Sequence, residues 1–122
     1  MLTVYHLNRD LGQGSEFARE APFLVAEHLA NAAAVKWRAG CYRPVADILG
    51  VKDLEDGWRL TNTIERPWWQ NAEVTPRFKP GPEVGGRCRS SMVGDVIMND
   101  DGELFVVCGV GFRPLPMPGS GS

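Results

Sequence analysis

Cysteine and histidine are both scarce in this chain, with three Cys and two His among 122 residues. Cys41, Cys88 and Cys108 are odd in number, widely spaced and without a Cys-x-x-Cys pair. Together with His6 and His28 they give neither a disulfide framework nor zinc-ligand spacing, and free buried thiols are expected. No apolar run approaches the ~20 residues of a membrane span, and Met1 to His6 lacks the basic start and apolar middle of a secretory signal. Neither sign of charge dominates: 13 basic against 15 acidic residues leave a formal charge of -2, so no global field draws the chain to nucleic acid or an anionic membrane. A Gly-rich phosphate loop, a nucleophile elbow and metal-ligand spacing are also missing. These absences predict a cytoplasmic chain with no membrane partner, metal or cofactor, and they argue against an enzyme.

The length suits one domain that buries roughly two thirds of its unfolded surface. Residues 1–116 are read as a single α+β domain, and 117–122, rich in Gly and Ser, as a disordered tail or linker. The longest β-rich stretch is Arg89 to Phe112. There, Val93 to Met98 and Leu104 to Val110 flank Asn99-Asp100-Asp101-Gly102, and Gly102 can take the positive φ that closes a hairpin. Alternation leaves both faces of the second run apolar, as in a central, covered strand. Gly109 and Gly111 on one face imply a close approach or a sharp bend. Substituting Val for Gly94 or Gly109 is therefore expected to cost about 1–3 kcal/mol.

Leu2 to Leu7 reads as a first strand. The helical stretch that follows has an ambiguous start: Ser15 could cap a turn through Glu20, and Pro22 suits the first position of a main helix running to Arg38. Val25, Leu29, Ala32 or Ala33 and Lys36 lie at helical spacing on it, and Gly40 ends it. Cys41 to Leu49 returns to β character with Pro44 arguing for an edge. Asp53 caps a second helix reaching about Asn62, in which Gly57 suggests close packing. The expected fold is a small, mostly antiparallel sheet with two helices, in the order β-α-β-α-β-β.

Arg89-Ser90-Ser91-Met92-Val93-Gly94-Asp95-Val96, with the acidic Gly turn, the β run after it and Gly111-Phe112, resembles small accessory proteins of plasmids, phages and integrative elements, among them YodL-like domains. The stretch from Asp53 to Thr63 with Trp68-Trp69-Gln70-Asn71 is similar to the same grouping, so the resemblance covers about Tyr42 to Phe112. It implies a mobile-element setting and interference with a host process or defence, with no known catalysis. Met92 stands where that grouping usually has Ser.

Asp95 after Gly94 fits a carboxylate that accepts backbone hydrogen bonds in a tight turn better than a catalytic acid. Gly94, Asp95, Gly102, Gly109 and Gly111 are thus assigned structural roles. Ser90 and Ser91 have no predictable His partner, and Asp100 to Glu103 lacks the ligand spacing of a calcium loop. The best constellation for recognition is Trp68 and Trp69 with Arg77, Lys79, Arg87, Arg89 and Ser90. As a protein-binding module, the chain would offer Trp and Arg to a host protein as hot-spot residues. The alternative is a single-stranded nucleic-acid site, with Trp stacking on bases and Arg or Lys holding phosphates. Oligomeric state is not legible.

Overall fold

The computed structural model describes residues 1–8, 12–62, 67–77 and 89–116, with the backbone alone for 12–15. Six antiparallel strands form one sheet: β1 (Leu2–Leu7), β2 (Tyr42–Ile48), β3 (Val74–Pro76), β4 (Val96–Met98), β5 (Leu104–Val107) and β6 (Phe112–Pro114). Their spatial order is β3-β2-β1-β4-β5-β6. Among the described residues three α-helices accompany them: α1 (Gly12–Glu20), α2 (Ala26–Arg38) and α3 (Leu54–Leu60). The α+β class and the antiparallel sheet are as expected, but the described residues hold one more α-helix and two further short strands.

Central strands are apolar on both faces because both faces are covered. On one face Leu7, Val96, Val106 and Cys108 pack with Phe17 and Ala18 of α1 and Leu29, Ala30, Ala33 and Ala34 of α2. On the other, Leu2, Val4, Ile48, Ile97 and Val107 pack with Trp68, and Leu54, Trp58 and Leu60 of α3 close over them. Alanines on α2 let it sit near the sheet, while Val25, expected on the buried stripe, is exposed. Pro22 does not start α2: it lies in a 3-10 turn at Ala21–Phe23, and the helix begins after an extended Val25.

Asp53 caps α3, its Oδ1 accepting the Glu55 N–H at 2.9 Å. Gly57 packs closely, as expected: a Cβ there would stand 2.7 Å from Leu2 Cδ1, and that buried side chain would have to shift. Asp56 pairs with Arg59 instead of completing a capping box. The hairpin between β4 and β5 closes as expected: Gly102 has φ +79°, and Asn99 Oδ1 accepts the N–H groups of Asp101 and Glu103.

Three expectations need correction. β2 is not an edge, because β3 pairs with its Ala46–Ile48 portion; Pro44 sits beyond that pairing, at a register shift opposite Val4 and Tyr5, where its missing donor does no harm. The last strand does not run to Val110. It stops at Val107, and the chain turns through Cys108 to Gly111, with Gly111 at φ +76°, before returning as β6. Of the two readings of the glycine pair, the sharp bend is met and the close approach is not: a Cβ at Gly109 would meet nothing within 4 Å.

The two outermost described strands, β3 and β6, have only three residues each and both end in proline. Arg77 N donates to Val45 O and Leu49 N to Glu73 O, which turns Val74 and Pro76 outward; Leu115 N to Leu104 O and Cys108 N to Gly111 O likewise turn Pro114 outward. The proline in each case removes an outward N–H, and that of Val74 is already taken by Asn71 O. Both margins are poor templates for an added strand.

Gly94 and Gly109 separate the structural demands cleanly. Gly94 has φ +98° and its Cβ position lies 3.2 Å from Ala21 Cβ, so Gly94→Val is expected to cost about 2–4 kcal/mol through strain and overpacking. Gly109→Val is expected to stay within about 0.5 kcal/mol of the parent. Urea denaturation of the two variants checks the contrast, and equal losses would contradict it.

Candidate functional site

The densest polar cluster is buried where the segment entering β4 meets the end of β1 and the end of α3. Asp95, 1% exposed, accepts hydrogen bonds from four nitrogens: Leu7 N (2.9 Å), Met92 N (2.7 Å) and Arg89 Nη1 and Nη2 (both 2.7 Å). The arginine grips it bidentately, the strongest geometry such a pair has. Arg89 also donates to Leu7 O and Ser90 O, while its own carbonyl accepts the indole N–H of Trp68 at 3.0 Å. Gly94 O accepts the Tyr42 hydroxyl at 2.6 Å. Burial, followed by the Asp95 charge, pushes that phenol far above its usual pKa.

Beside this pair runs a chain of side-chain hydroxyls. His6 Nε2 lies 3.0 Å from Ser91 Oγ, which lies 2.7 Å from Thr61 Oγ1, which in turn lies 3.0 Å from Gly57 O. A carbonyl can only accept, so with the Thr61 hydroxyl donating to Gly57 O, or to Trp58 O at 3.2 Å, the chain runs one way. Thr61 donates to Gly57 O, Ser91 donates to Thr61, and His6 donates its Nε2–H to Ser91. The Ser91 proton is thus committed away from the imidazole, the reverse of what a general base requires. Asp95 Oδ2 is 3.8 Å from that same Nε2, not on the far ring nitrogen where a triad would place its carboxylate. These bonds tie the end of β1, the end of α3 and the approach to β4 to one another.

The residues singled out for recognition are scattered. Trp68 is 1% exposed and lies in a 3-10 turn with its ring edge-on to Trp69, which is half-buried. Arg77 forms a bidentate pair with Asp47 at 2.9 Å, and that bond holds the Asp47 carboxyl below the usual range. Arg89 is engaged by Asp95, and Ser90 is half-buried beside it. Lys79 and Arg87 lie outside the described residues, as do Cys88, most of the connector and the tail. Among the described residues no His, Cys, Asp and Glu cluster could hold a metal ion, and His28 is exposed on α2. Cys41 and Cys108 are buried free thiols.

A small cleft escaped the sequence reading. It is lined by Glu55 and Trp58 of α3, Val107, the Cys108-to-Gly111 turn and Phe112, and it encloses about 90 Å³. Its only prior signal was the Gly109 and Gly111 pair.

Burial, partly offset by Asp95 and reinforced by Arg89 and Arg43, lowers the His6 pKa from 6.5 to about 4. The unfolded chain therefore binds the extra proton first as pH falls, and stability declines below about pH 6.5 until folded His6 itself titrates near 4. About 2 kcal/mol should be lost between pH 7 and pH 4.5 from this residue alone. Urea titrations of the parent and His6→Gln at both values check it: the parent should lose more than the variant by that margin.

No family model matches the chain, and comparison with curated proteins and with solved structures gives no match either.

Proposed function

We propose that this chain is a non-catalytic protein-binding module. The observation that carries the reading is an inversion of what a reactive site would show. The groups able to do chemistry, His6, Ser91, Thr61 and Asp95, are buried and bonded to one another, while large apolar side chains face outward. Phe23 is 88% and Val25 64% exposed within one short bend, and Leu24 between them is tucked against the α1/α2 core. An aromatic side chain held out by an anchored turn loses little freedom on binding, which suits a recognition hot spot.

A mobile-element setting, with a host protein as the target, rests on the resemblance of residues 42–112. The single-stranded nucleic-acid alternative has less support. Trp68 cannot stack on a base from within the core, and Arg77 and Arg89 already spend their guanidinium groups on carboxylates.

Affinity capture from host lysate, followed by a binding titration with the captured protein, tests the proposal. Phe23→Ala combined with Val25→Ala should weaken binding about tenfold or more with an unchanged denaturation midpoint. Undiminished binding, or salt-sensitive oligonucleotide binding without any protein partner, would count against it.

A further inference from the structure

We propose that the cleft between α3 and the β5–β6 turn receives a lysine side chain from a partner polypeptide. Two aromatic side chains, Trp58 and Phe112, and the apolar Val107 line it, and Glu55 stands among them. Aromatic rings attract a cation through their negative faces, and a carboxylate beside them supplies the counter-charge. A cavity of about 90 Å³ suits one unbranched side chain, with methylenes against the rings and the ammonium on Glu55. Arg59, the nearest basic residue on α3, is held by Asp56 at 2.8 Å and leaves Glu55 without an ion pair among the described residues. Arg113 lies opposite Val106, whose side chain joins the α1/α2 core, so it faces away from the cleft.

One further observation fits the assignment. Gly109 borders the cleft although neither a positive φ nor a close neighbour demands glycine there; its missing side chain keeps the rim low.

The proposal rests on the protein-binding reading, but the two can fail separately. The peptide acetyl-Ala-Lys-Ala-amide, and its norleucine counterpart, are titrated into the ¹⁵N-labelled full chain while the Trp58 indole resonance, identified by its loss in Trp58→Phe, is followed. The lysine peptide should shift that resonance and the amides of residues 108–112 saturably, in the millimolar range. The response should be about tenfold weaker for norleucine and for the lysine peptide on Glu55→Gln, and weaker in high salt. No saturable shift, equal shifts from both peptides, or an unchanged response in Glu55→Gln would overturn it. Any of these alongside intact Phe23-dependent capture would remove the cleft and leave the binding module standing.

Discussion

The densest set of polar groups in the interior is arranged around the Asp95 carboxylate. A buried carboxylate is tolerable only when donors fill its oxygens, and here two backbone amides and one guanidinium do so. The consequences spread outward from that demand. Arg89 must turn inward, which fixes its carbonyl as the acceptor for Trp68 and so pins the Trp68 turn over the sheet. Met92 N must reach Oδ2, which forces the tight approach to β4 and the positive φ at Gly94. Leu7 N is satisfied at the end of β1, where β2 alone could not supply both sides of the strand. Ser91, held between these fixed points, has its amide on Thr61 O and its hydroxyl in the His6 chain.

Local chemistry was legible in the sequence wherever a residue's role depends on its immediate neighbours. The Asp53 cap, the Asn99-to-Gly102 turn, Gly40 after α2 and the strand at Leu2–Leu7 all belong to this kind. So did the expectation that Asp95 accepts a backbone N–H in the turn before β4. Legibility failed where partners come from far along the chain. Arg77 looked available to a ligand because Asp47 is thirty positions away, and Arg89 looked like part of a basic loop because nothing in the sequence says that Asp95 is buried. Gly94 and Gly109 looked alike as glycines near strand ends. The positive φ at Gly94 and its contact with Ala21 make the first indispensable, and neither applies to the second. Pro22 satisfied the rule for a helix start, yet a 3-10 turn uses the same fixed φ, and sequence cannot tell them apart.

The sheet margins narrow the ways in which a partner can be held. Strand addition draws its affinity from a row of main-chain donors and acceptors, but the outer side of β3 has no uncommitted N–H between Val74 and Pro76, and Pro114 interrupts that of β6. Recognition by side chains is what these margins leave, and side chains are what the surface presents at Phe23, Val25 and the cleft beside Trp58.

Those two surfaces lie on different sides of the sheet. The Phe23 bend is anchored through Ala21 and Leu24 to the α1/α2 core, whereas Trp58 and Phe112 belong to the core under α3. A rigid partner of ordinary interface size, burying about 800 Å² on each side, would cover one of them and leave the other in solvent. Contact with both would need an extended segment wrapping a sheet edge, and the edges offer it little main-chain bonding on the way. The two proposed sites are therefore better understood as independent, each anchored to the core on its own face of the sheet.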